Sequence, residues 1–273
     1  MSAGHDTGTG EVAVGFLSFT EVTDPGAHRA YNAWHQLDHL PEQLPLPGVV
    51  WGQRWVSTPA CTAARAAQVP PLDRTHYVTL YLMAEPVEEV LEGFFALARS
   101  LRAAGRFFDA RQAHLTGPYE VVEAAAAPRV LVSAAAVPFR PTRGIYVVVE
   151  PTGNPGAPGA GDLVAVPGVA GAWVFEDRGR FDATPWQPGH DRVTICFLDE
   201  PPLAVAPSLA PLAAPAATAR AGSQSRGGTG THPGTGERAG SGPGPLFAGA
   251  LETVVPWEWD WFETQRPPAG PGS

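Results

Sequence analysis

Between Tyr31 and Trp55 the chain reads YNAWHQLDHLPEQLPLPGVVWGQRW, and no other stretch gathers as many titratable side chains on so few turns. His28, Asn32, His35, His39 and Glu42 follow one another at three- and four-residue steps. On a straight helix they form one polar stripe, with Asp38 beside it. Imidazole titrates near neutral pH, so His35 or His39 suits general acid/base work, with Asp38 or Glu42 setting the tautomer. Two His four residues apart can also share a metal ion with a carboxylate. Gln36 follows His35, however, so the His-Glu-x-x-His pattern of zinc proteases is absent. The third reading is a solvated face whose carboxylates cap and orient nearby loops. Outside the helix, Arg54 could neutralise an acidic ligand, His76 lies on a predicted strand, and Tyr77 and Tyr81 alternate on that same strand.

The local elements that position these groups can be read from capping and periodicity. Val12, Val14 and Phe16 alternate with Ala13, Gly15 and Leu17, a run apolar on both faces that suits a buried strand. Asp24-Pro25 is a helix start, with the carboxylate as N-cap and proline in the first turn. The helix is predicted from Pro25 to about Leu40, with Pro41 kinking or ending it for want of an N–H. After the Pro47-Gly48 turn, Val49 to Ser57 reads as a second strand and Thr75 to Met83 as a third. Glu85-Pro86 opens a second helix that Gly105 stops, and Tyr119 to Ala124 supplies a fourth strand. The order is βαββαβ, the ferredoxin-like arrangement.

Parts of this unit recur. Arg143 to Pro151 reads as a new first strand, Pro167-Gly168-Val169 echoes Pro47-Gly48-Val49, and Asp191 to Pro201 echoes Arg74 to Pro86. A matched order at a period of about 120 residues predicts a duplicated domain. The fold class expected is α+β, with two ferredoxin-like repeats pairing in one chain as a pseudo-dimeric α/β barrel. The second repeat is expected to lack helices. Gly and Pro fill 152–162 where its first would lie, and Pro207, Pro211 and Pro215 would break its second. The predicted boundaries are a tail at 1–10, repeat one at 11–128, a connector at 129–142, repeat two at 143–262 and a tail at 263–273. A disordered insert is expected at about 204–245, including the Gly- and Ser-rich 222–245. A last strand is expected near Phe247, with Trp257, Trp259 and Trp261 on one face if the chain stays extended.

Composition narrows the partners. The 273 residues carry a net charge of −9 and no block of Lys or Arg, which argues against nucleic acid. Two cysteines, Cys61 and Cys196, make neither a disulfide framework nor a metal spacing. The first residues lack a basic start and apolar run, and no stretch is apolar enough to cross a bilayer. The expectation is a cytoplasmic protein with no membrane partner, in which further self-association remains open.

Trp34-His35, Asp38-His39-Leu40-Pro41-Glu42 and Pro47-Gly48 before a strand resemble the signature of the EthD-like proteins of the dimeric α/β barrel superfamily. The resemblance covers roughly the first 120 residues. It implies a pocket between sheet and helices, with His39, His35 and Asp38 as catalytic candidates. Trp34, Glu42, Arg54, His76 and Tyr81 are then candidates for substrate binding. Relatives act on polyketide-like aromatics, often without a bound cofactor, so the expected activity is that of a cofactor-independent lyase, cyclase or oxygenase using His acid/base chemistry. No metal is assigned. The alternative is a non-catalytic binding or scaffold protein with a vestigial pocket.

Overall fold

A computed structural model of the chain describes residues 12–154, 156–177, 191–213 and 244–263. The expected tails, apart from Glu263, and residues 214–243 of the expected insert, Pro215 included, lie outside these.

The first half runs β1 (Val12–Val22), α1 (His28–Trp34), a π turn (His35–His39), α2 (Leu40–Gln43), β2 (Val49–Val56), α3 (Pro59–Ala63), β3 (Ala67–Gln68), β4 (Tyr77–Ala84), α4 (Val87–Ala103) and β5 (Arg111–Ala126). The second half runs β6 (Gly144–Pro151), α5 (Ala160–Leu163), β7 (Val169–Glu176), β8 (Asp191–Leu198), α6 (Pro202–Ala213) and β9 (Phe247–Thr253). The strands pair in the order β2-β4-β1-β5-β7-β8-β6-β9, and β9 returns to β2. Eight antiparallel strands thus close an α+β barrel, and β3 hangs on β9 as a short extension. The two seams are unequal. β5 and β7 share six residue pairs from Glu120↔Glu176 onward, whereas β2 and β9 share two, Trp55↔Thr253 and Val56↔Glu252.

Alternation along the strands sorts side chains to the two faces. Leu17, Phe19, Trp55, Val78 and Leu80 point into the barrel, where they meet Trp173, Phe175, Ile195, Phe197 and Phe247. All of these are fully buried, so the interior is a packed core and not a channel. Each such side chain contributes roughly 1.5–3 kcal/mol by leaving water. Phe16, Ser18, Thr20, Thr79 and Tyr81 take the opposite parity and lie under the first-half helices.

Three expectations need correction. Pro207 and Pro211 do not break the second-half helix, so residues 204–213 of the expected insert are helical. Both prolines lie on the exposed side of α6, while Val205, Ala206 and Leu209 are buried against the sheet. The hydrogen bonds lost at proline therefore face solvent, where water replaces them. The repeat-two region accordingly has one full helix, with four-residue α5 standing where its first would be. The fourth strand is much longer than Tyr119 to Ala124. Pro118 is tolerated in it because β5 there has β1 as its neighbour and meets β7 only from Glu120. Finally, the chain beyond β9 leaves the extended conformation. Trp257 has φ 72° and is exposed, whereas Trp259 packs with Val22, Tyr31 and Tyr77.

Among the described residues no helix is long and apolar enough to cross a membrane.

Candidate functional site

The helix does not end at Leu40. It passes through the π turn, where the Leu40 N–H bonds the His35 carbonyl five residues back, and continues to Gln43. The wider turn moves the preceding carbonyls out of line with the Pro41 ring, so the helix continues past a residue that should have stopped it. It also turns through fewer degrees per residue than an α-helix. His35 and His39 consequently stay together on the buried side, with ring centroids 5.2 Å apart and planes 70° apart. Asp38 and Glu42 rotate outward instead. Their carboxylates accept hydrogen bonds from Arg106 at 2.9 and 2.7 Å on the surface.

Under the histidines lies a cavity of about 140 Å³ between the outer face of the sheet and the helices. Phe16, Ser18 and Thr20 of β1, Thr79 and Tyr81 of β4, and Arg111 and Thr116 of β5 form its floor. Tyr31, His35, His39 and Gln43 come from the first helix, Phe94, Phe95 and Ala98 from α4, and Phe107 from the following loop. Gly52 leaves space for the Tyr81 ring, since a Cβ there would sit 2.7 Å from it. None of the described residues in the wall is acidic.

Trp34 stacks on His39 at 4.5 Å and donates its indole N–H to the Arg106 carbonyl at 2.8 Å, fixing the outer side of that imidazole. Gln43 Nε2 lies 3.0 Å from His39 Nε2. With the Gln43 amide in this orientation its nitrogen donates and His39 Nε2 accepts, which puts the His39 proton on Nδ1. Burial, then the Arg111 guanidinium, lowers the His39 pKa to about 3, against a smaller opposing pull from Asp38. Burial, then Arg54, then His39, hold His35 well below the ordinary range. Both rings are therefore neutral at pH 7. Burial also raises the Tyr81 phenol and lowers the Arg111 guanidinium.

Buried polar atoms almost always find a partner. Here seven do not: His35 Nδ1, His39 Nδ1, Gln43 Oε1, Tyr81 Oη, Arg111 Nε, and Arg54 Nε and Nη1. The first five belong to residues of the cavity wall. Arg54 lies one strand away, opposite Thr79. Its Nη2 donates to Asn32 Oδ1 at 2.7 Å, and its guanidinium sits 5.2 Å from the ring centres of both Tyr31 and Tyr77. Arg111 faces Phe107 at 4.5 Å and Trp34 at 5.4 Å.

Of the residues singled out from sequence, His35, His39 and Tyr81 are brought together in the cavity wall, with Trp34 and Arg54 directly behind it. Asp38 and Glu42 are held at the surface by Arg106. His76 stands apart: its Nδ1 accepts the Val22 N–H at 3.0 Å and its ring meets His28 edge-on at 4.8 Å. With both helix carboxylates turned away, the histidine pair has no acidic third ligand, and no three potential metal-binding side chains cluster among the described residues. Sequence reasoning missed Arg111, Gln43, Tyr31 and Phe107. Arg111 was hidden because the fourth strand is expected only from Tyr119, whereas it begins at Arg111. Gln43 had a signal in its four-residue spacing from His39.

No family model matches the chain, and no curated protein does. Among solved structures it is similar to a chlorite dismutase-like protein at 10% identity, covering 93% of this chain and 99% of that one, with a TM-score of 0.44. It is also similar to an anthrone oxidase-like protein at 12% identity, covering 90% and 93% respectively, with a TM-score of 0.47. What stands by strand order alone is the class: a closed antiparallel α+β barrel whose first half has the ferredoxin-like order β2-β4-β1-β5.

Proposed function

We propose that this chain is a cofactor-independent enzyme of EthD-like type, acting on a small aromatic substrate by proton transfer to and from the His35–His39 pair. The observation that carries the reading is the set of unpartnered buried polar atoms around one aromatic-walled cavity. Unsatisfied groups of this kind cost stability and collect where a ligand completes them. A cavity near 150 Å³ admits one benzene-sized ring, so a single-ring phenol or enol fits the space. In the step envisaged, His35 Nδ1 accepts a proton from an acidic C–H or O–H of the substrate. The bonding pair stays on the substrate and its charge collects on oxygen, where the His39 Nδ1–H and Arg111 stabilise it. The charge that develops offsets the field of the two arginines, which raises His35 basicity at the moment it is needed.

The reading includes a duplication. The second half repeats the strand order of the first as β7-β8-β6-β9, and each half places a left-handed glycine before its second strand. A Cβ on Gly48 would lie 2.1 Å from Val90 of α4, and one on Gly168 would lie 2.6 Å from Val205 of α6. The pairings β2–β4 and β7–β8 also slip at matching points, Val49/Trp51 and Val169/Gly171. The matching space of the second half, beside Tyr146, Thr194 and Cys196, is closed down to about 10 Å³. In this reading the functional site is the first-half cavity, and its second-half counterpart is vestigial.

Resorcinol and phloroglucinol test this, because their ring C–H groups exchange with deuterium through keto tautomers. The protein should accelerate that exchange, and His35→Gln and His39→Gln should each lower it at least about a hundredfold. Binding of such rings without accelerated exchange would refute catalysis and leave the non-catalytic binding protein.

A further inference from the structure

We infer that the cavity takes a singly charged single-ring aromatic anion, a carboxylate or a phenolate, with its charged end on Arg111 and its ring among Phe16, Phe94 and Phe107. The inference rests on reading this cavity as the substrate site, and it names the charge of what binds there.

The argument is one of charge balance. Two guanidinium groups sit in or directly behind the wall, and neither is paired with a carboxylate among the described residues. The acids nearest in sequence to the histidines, Asp38 and Glu42, are both engaged by Arg106 outside. Arg54 is 2% exposed, and among the described residues its side chain has a single hydrogen-bonded partner, the neutral Asn32. Burying a cation without a counter-charge costs several kcal/mol, so an anion supplied by the ligand is what this arrangement lacks. The histidines cannot serve as the compensating charge, since neutral or protonated they add none of the required sign. Their neutrality matters in a second way: Nδ1–H of His39, the Tyr81 hydroxyl and Arg111 Nε offer donors to an oxyanion, while Gln43 Oε1 and the basic His35 Nδ1 are the acceptors beside them.

The rest of the wall sets the shape. Phe16 and Phe94 stand 4.9 Å apart and Phe16 and Phe95 5.9 Å apart, and Phe107 is sandwiched between Arg102 and Arg111 at 4.1 and 4.5 Å. A wall that combines phenylalanine faces with guanidinium and imidazole donors fits a ring bearing one charged substituent. The volume of about 140 Å³ holds one such ring.

Calorimetry on the full chain with two near-isosteric pairs tests this: benzoate against benzamide, and p-nitrophenolate against p-nitroaniline. The charged member of at least one pair should bind more than about tenfold tighter, and which pair shows it distinguishes carboxylate from phenolate. Arg111→Gln should bring that advantage to within about twofold, and Arg111→Lys, which keeps the charge, should retain most of it. The inference is overturned if neither charged member outbinds its neutral partner in the wild-type protein, a comparison that depends on no variant folding. It is equally overturned if the advantage survives Arg111→Gln in a variant that still binds the rings. Charged rings that bind without deuterium exchange would refute the acid/base reading and support this one. Neutral rings that bind best and exchange would do the reverse.

Discussion

Acid should weaken the fold through His39, and the size of the effect follows from its surroundings. Burial and Arg111 hold the folded-state pKa at about 3, against 6.5 for an unperturbed imidazole. The unfolded chain therefore takes up this proton first as pH falls. His39 contributes nothing to the pH dependence above 6.5, and stability declines from there until the folded form also protonates near 3. Each pH unit in that window costs ~1.4 kcal/mol, so about two units of acidification below 6.5 cost ~2.7 kcal/mol through this one side chain. Carboxylates also titrate in this range, so the informative quantity is the difference between wild type and His39→Gln. That glutamine can accept from Gln43 and does not titrate. Urea unfolding followed by tryptophan fluorescence should show the variant gaining ~2.7 kcal/mol on the wild type between pH 7 and about pH 4.5, roughly one molar in midpoint. His35→Gln should behave with the same sign. A wild-type-minus-variant difference that stays constant across this range would mean that His39 is solvated or paired, and the account of the buried neutral pair would fall with it.

Four other outcomes follow. Gly48→Ala should destabilise by at least ~2 kcal/mol in chemical unfolding, because φ is +82° and the new Cβ meets Val90. Trp173→Ala, emptying a fully buried site in the barrel whose indole donates to the Ala134 carbonyl, should cost ~3–5 kcal/mol in the same assay. Residues 1–128 expressed alone would expose β2, β5 and the inner face of their sheet, and should elute in gel filtration as a self-associated species; a well-folded monomer would contradict the closure of the barrel. Asp38→Asn, which touches only the exposed pairing with Arg106, should leave both the unfolding midpoint and ligand binding unchanged, and a loss of binding would place Asp38 in the site after all.

Much of this protein is written in its sequence because much of it is local. The Asp24 cap, whose carboxylate accepts the Gly26 N–H at 2.8 Å, depends on residues two apart. So does the alternation that sends Leu17 and Phe19 inward and Phe16 and Ser18 outward, and the Pro-Gly turns that announce the second strand of each half. These features gave the strand order and directed attention to His35 and His39. What sequence could not give depends on which neighbour each element meets. Pro118, Pro207 and Pro211 read as breakers, yet each is tolerated because its missing hydrogen bond falls where no partner strand or helix-side packing requires it. The π turn rotates through fewer degrees per residue than an α-helix, and this separates the buried imidazoles from Asp38 and Glu42, which regular helical spacing would have kept beside them. Arg111 reaches the histidines from a strand more than seventy residues downstream, and only the pairing of β5 with β1 beneath the first-half helices makes it their neighbour. The charge of the cavity, on which its ligand depends, is thus a property of tertiary structure: it comes from which side chains were turned inward without a counter-ion, and that choice is made by the fold.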